Sequence, residues 1–99
     1  MDKYRILIVD DEAQNREFLK DILGREEYEI EVAVDGKDAI QKISQDDFHI
    51  VLTDLMMPAP DGLGVIRWLA KHRPDTIGIL FTGYGSIKTA VEAMRIGAF

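Results

Sequence analysis

Four short apolar runs punctuate the chain, and an amphipathic stretch follows each. The runs are Ile6-Leu7-Ile8-Val9, Ile30 to Val34, Ile50-Val51-Leu52 and Ile77 to Phe81. Each has the length of a strand. In the stretches that follow, apolar residues recur three and four apart, the spacing of one helix face. Phe18, Leu19, Ile22 and Leu23 mark the first helix, and Ala39, Ile40 and Ile43 the second. Val65, Ile66 and Leu69 mark the third, and Ile87, Ala90, Val91 and Met94 the fourth. Strands alternating with helices predict βαβ units and a mainly parallel sheet.

The runs differ in a way that suggests their order. The first, third and fourth are nearly continuous in apolar residues, as expected of strands covered on both faces. The second carries Glu29 and Glu31 at alternate positions, which suits a strand at the edge of the sheet. The expected strand starts, at residues 4, 29, 49 and 77, are roughly evenly spaced and put a fifth near residue 101. Gly97 stands where a helix C-cap is expected, and Ala98-Phe99 has the look of a strand beginning. Residues 1–99 therefore read as one α/β domain cut before its last βα unit. The apolar fourth strand would then lack a neighbour, and edge-to-edge association into a homodimer is expected.

Composition narrows the function classes. With 46% hydrophobic residues the chain can bury a core, so disorder is excluded. Eighteen acidic against twelve basic residues give a net charge of −6, which opposes direct binding to a nucleic-acid backbone. The absence of cysteine removes disulfides, thiolate metal sites and cysteine catalysis. No apolar run approaches the roughly 20 residues that cross a bilayer. The opening run is too short for a signal-peptide core, so a cytoplasmic protein is expected.

In open parallel α/β sheets, ligands bind beyond the carboxyl ends of the strands. The first strand delivers Asp10-Asp11-Glu12 there, the third delivers Asp54, and the fourth delivers Thr82-Gly83. If the first and third strands are neighbours, about 4.8 Å apart, then Asp10, Asp11 and Asp54 converge. Three such carboxylates repel one another and must take up a proton or a cation. Hard oxygen ligands with an open mouth favour Mg²⁺. Structural readings compete with each of these. Asp10-Asp11-Glu12 suits a helix N-terminus, Asp54 suits a turn before Pro58, and Thr82 suits a strand end.

Taken together, Ile6 to Glu12, Asp54-Leu55-Met56-Met57-Pro58 with Asp61-Gly62, and Thr82 after an apolar strand resemble a response-regulator receiver domain. The segments Thr82 to Ser86 and Ala93 to Phe99 resemble most closely the receivers of σ54-dependent activators. The resemblance implies a flavodoxin-like, doubly wound parallel sheet in the strand order 2-1-3-4. It implies that Asp54 is the phosphoryl acceptor, a carboxylate nucleophile forming an aspartyl-phosphate. It also implies Mg²⁺ held by Asp10, Asp11, Asp54 and the main-chain carbonyl of Met56. Thr82 would hydrogen-bond the phosphoryl group, and the donor would be a sensor histidine kinase. Receivers catalyse their own phosphoryl transfer without being conventional enzymes. The lysine that receivers carry at the end of the fifth strand is missing from residues 1–99, and from their positions none of the lysines present is expected to stand in for it. An interaction module with a vestigial acidic site is accordingly the alternative function.

Other signals weigh less. Gly83-Tyr84-Gly85 imitates a dinucleotide fingerprint, but Lys88 replaces its third glycine. His49 and His72 have no ligand partner at a useful spacing. Met56 and Met57, in a loop held by Pro58 and Pro60, are expected to pack. Trp68 falls off its helix's main apolar stripe and is expected to be half-buried against a neighbour.

Overall fold

A computed structural model describes residues 4–24 and 28–81. Strand β1 (Arg5–Val9), helix α1 (Ala13–Gly24), β2 (Glu29–Ala33), α2 (Gly36–Gln45), β3 (Ile50–Asp54), α3 (Gly62–His72) and β4 (Ile77–Phe81) follow in order. All pairings are parallel and the strand order is β2-β1-β3-β4. This is the flavodoxin-like order expected, with the glutamate-bearing strand at one edge. The fourth helix, expected from Ile87 to Met94, lies outside the described residues.

The strictly alternating side chains of β1 and β3 divide the core between two faces of the sheet. Ile6, Ile8, Ile50 and Leu52 meet Leu19 and Leu23 of α1, with Phe81 of β4 joining them. Leu7, Val9 and Val51 meet Ala39 and Ile43 of α2 and Val65 and Leu69 of α3 on the other. Both faces of β1 and β3 are thus covered, which is why their sequences read as unbroken apolar runs. β4 differs among the described residues, since Gly78 and Leu80 are exposed and Ile77 and Ile79 half-buried. The second run also ends one residue early. The chain turns after Ala33, leaving Val34 exposed, and its N–H bonds the Asp38 carboxylate of α2 instead of a strand.

The acidic pattern of β2 has a second use. Arg5, at the start of β1, pairs with Glu31 at 3.0 Å and lies 3.7 Å from Glu29. The same guanidinium forks across the Asp46 carboxylate at 2.6 and 3.0 Å and covers the Phe48 ring. That hydrogen-bonded pairing raises the affinity of Arg5 for its proton and lowers that of Asp46. One side chain therefore ties β1 to the edge strand and to the α2–β3 turn. Trp68 is half-buried as expected, stacked on His72 with centroids 4.3 Å apart and packed against the α2–α3 side of the core.

Candidate functional site

The register of β1 against β3 pairs Val9 with Thr53, so the next residues, Asp10 and Asp54, leave the sheet side by side. Asp11 follows on the exposed turn. Carboxylate oxygens of Asp10, Asp11 and Asp54 all lie within 4.8 Å of one another. The convergence expected from the strand ends is present. None of the three makes an ion pair among the described residues.

The three acids sit in different surroundings. Asp10 is fully buried, and its carboxylate accepts the Glu12 main-chain N–H at 2.9 Å and the Asn15 side-chain amide at 2.9 Å. Burial pushes its proton affinity up; those two hydrogen bonds and Arg16 oppose the shift, and Asp11 adds to it. Asp54 is half-buried, and its Oδ1 accepts the Met56 N–H at 3.3 Å. Burial also pushes Asp54 up, with the charges of Asp10, Asp11 and Glu12 adding to it. Burial and the neighbouring charges thus disfavour the anion at both positions, which is the condition that a bound cation relieves.

The competing structural reading of Asp10-Asp11-Glu12 is partly correct as well. Asp10 bonds the N–H of Glu12 while the Glu12 carbonyl accepts from Arg16, so the acidic turn does open α1. Arg16, overlooked in the sequence, sends its guanidinium to the Asp10 carbonyl at 2.8 Å. Asn15 was overlooked too. Their only sequence signal is position, in the first turn after the acids.

The β3–α3 loop is folded back on the site by close backbone approaches. A Cβ on Gly62 would overlap the carbonyl of Asp54, and one on Gly36 would overlap that of Pro60. Asp61 caps α3, accepting the Gly64 N–H at 2.9 Å. Within the loop Met57 packs against the core as expected, but the side chain of Met56 is 73% exposed. Its expected packing role is therefore corrected. Its N–H is committed to Asp54, which turns the side chain off the core. Phe81 pairs with Asp54, and its carbonyl accepts the Leu55 N–H at 3.0 Å. Thr82, next in sequence, lies outside the described residues.

The donor set is all carboxylate oxygen, uncompensated and open to solvent through Asp11, and so it fits a hard divalent cation. No described helix is long and apolar enough to cross a membrane.

Comparison with known proteins gives a consistent result. The family profile of the response regulator receiver domain matches residues 6–99. The response regulator protein PilR of Pseudomonas aeruginosa is 35% identical over 99 residues, covering 100% of this chain and 22% of its own length. The regulatory protein AtoC of Escherichia coli is 38% identical over 95 residues, covering 96% of this chain and 21% of its own. The chain thus spans about a fifth of the length of these curated relatives. Among solved structures, the response regulator TrrA from Thermotoga maritima, in complex with Mg²⁺-BeF, superposes with a TM-score of 0.78 at 36% identity, covering 92% of this chain and 79% of that one. A CheY-like receiver domain protein from Methanospirillum hungatei gives 0.79 at 34% identity, covering 98% and 78%.

Proposed function

The chain belongs to the response regulator receiver domain family, and from that premise we propose that it is switched by a phosphoryl group accepted on Asp54. The observation that carries this reading is the meeting of Asp10, Asp11 and Asp54 at the ends of neighbouring strands. Of the three, Asp54 is the half-buried carboxylate whose main-chain carbonyl lies close against Gly62 and whose Oδ1 accepts the Met56 N–H. An oriented carboxylate oxygen is a competent nucleophile for in-line displacement.

Asp10, Asp11 and Asp54, with the main-chain carbonyl of Met56, would hold Mg²⁺. When bound, the cation supplies charge neutralisation for the incoming phosphoryl oxygens. The chain's own part is to present an Asp54 oxygen to phosphorus, so that the O–P bond forms as the donor's bond to phosphorus breaks. With a phosphohistidine donor the electron pair leaves on the imidazole nitrogen. Thr82, following the strand partner of Asp54, would donate a hydrogen bond to the transferred group. The donor is proposed to be a sensor histidine kinase, and the setting the cytoplasm, where such a kinase draws on ATP. Both curated relatives are regulators, and transcriptional control is the proposed output of the protein that carries this receiver.

Incubation with a small-molecule phosphodonor and Mg²⁺, followed by intact mass, tests this reading. One added phosphoryl group is expected for the parent and none for Asp54→Asn. Equal incorporation into the variant would overturn the assignment.

A further inference from the structure

We propose that Asn15 is a positioning residue of the acidic site, fixing Asp10 in the orientation through which a divalent cation is held. The inference rests on the cation-binding reading above. Asn15 is in the first turn of α1, and asparagine is a poor helix former whose side chain competes for main-chain bonds. Here its side chain makes no such bond. Its Nδ2 donates to Asp10 Oδ2 at 2.9 Å, across one helical turn.

Asp10 is fully buried and could otherwise rotate about its terminal torsion. Oδ1 is held by the Glu12 N–H at 2.9 Å, and the main-chain carbonyl by Arg16 at 2.8 Å. The Asn15 amide is the third tether, and the one that fixes Oδ2. Each carboxylate oxygen still keeps a lone pair for a cation or for water that the cation carries. The amide itself has one permitted orientation, because a flip would set its oxygen against a carboxylate.

A second observation points to a ligand. Asn15 Oδ1 is buried and, among the described residues, has no hydrogen-bond partner. An unpartnered buried acceptor is unfavourable in the chain alone, and groups of this kind in native structures call for a cause. Mg²⁺ keeps several of its waters when protein-bound, and a water hydrogen is the donor this oxygen lacks. Asn15 would then serve the cation twice, through Asp10 and through hydration. A side chain present only to stabilise α1 would be better chosen as leucine or alanine.

That contrast defines the test. Mg²⁺ is titrated calorimetrically into the parent chain, Asn15→Leu, Asn15→Ala and Asp11→Asn, and each is melted in EDTA. Leucine keeps the volume, alanine favours the helix, and both remove the orphaned acceptor. The expected result is that both Asn15 variants still melt cooperatively in EDTA, lowered at most by the loss of one hydrogen bond to a buried carboxylate, with Mg²⁺ affinity weakened about tenfold or more, the scale of lost outer partners at metal sites. Mg²⁺ affinity within about twofold of the parent in either folded variant would overturn the proposal, since an outer partner is expected to do more. A fall in affinity accompanied by loss of cooperative melting in both variants would also overturn it, by making Asn15 structural. A parent that binds Mg²⁺ no better than Asp11→Asn would instead sink the cation reading on which the proposal stands.

Discussion

Replacing Asp54 by asparagine is expected to stabilise the cation-free protein while abolishing its proposed chemistry. The carboxylate oxygens of Asp10 and Asp54 lie within 4.8 Å of each other. Coulomb's law puts the repulsion at about 1 kcal/mol in a water-like dielectric and about 3.5 kcal/mol at an effective dielectric of 20. Asp10 is fully buried and Asp54 half-buried, so the net effect is expected inside that range, at ~1–3 kcal/mol. Asparagine keeps an oxygen to accept the Met56 N–H, so no hydrogen bond need be lost. In a domain of this size, 1 kcal/mol moves the melting temperature by roughly 4–8 °C. The sign with pH follows from linkage. Burial and the neighbouring acids raise the folded-state proton affinity of Asp54, so the folded state binds more protons than the unfolded one. Parent stability on this account falls as pH rises through the interval between the two affinities, and the penalty is complete above the folded one. Melting in EDTA near pH 7 and near pH 4, close to ordinary carboxylate titration, measures the difference. The variant should melt higher near neutrality, and its advantage should shrink on acidification. Excess Mg²⁺ should narrow the gap by stabilising the parent more. A variant that melts lower than the parent in EDTA at neutral pH, or an advantage unchanged by acid, would refute the reasoning.

Mg²⁺ affinity is expected to fall on acidification sooner than for a site of ordinary carboxylates, because Asp10 and Asp54 both hold protons more tightly than usual and protons compete with metal; calorimetric titration across a pH series reads this. Gly62→Ala should cost ~1–3 kcal/mol by forcing the loop off the Asp54 carbonyl. It should weaken Mg²⁺ binding as well, both measurable by urea melts and metal titration. Asp61→Ala should remove the cap of α3 at a cost of about 1 kcal/mol, seen as a lower melting temperature with the helix still formed.

The strands that carry the site were readable because β1 and β3 are apolar on both faces and end in acids, while Glu29 and Glu31 mark β2 as the edge. That reading placed Asp10 beside Asp54 without any structure. What the sequence could not display is which groups hold those acids in place. The bond from Asn15 to Asp10 depends on the rotation of α1 relative to the strand that precedes it. The closeness of Gly62 to Asp54 depends on the path of a loop with no periodicity. Met56 reads as apolar and therefore inward, yet its main-chain N–H is drawn to Asp54 and the side chain turns to solvent. Arg5 similarly gives no hint in sequence that Asp46, far along the chain, is its partner.

If the phosphoryl group resides on one carboxylate, covalent trapping will locate it. The protein is incubated with excess phosphodonor and Mg²⁺, then reduced with borohydride, which converts an acyl phosphate to an alcohol and leaves free carboxylates intact. Peptide mass spectrometry then locates the product. Homoserine is expected at position 54 and at no other acidic residue, with none formed when Mg²⁺ is replaced by EDTA. Homoserine at Asp10 or Asp11, or a chain that binds Mg²⁺ yet yields no reduced residue after prolonged incubation, would contradict that expectation and leave the acidic cluster an inert feature of the fold.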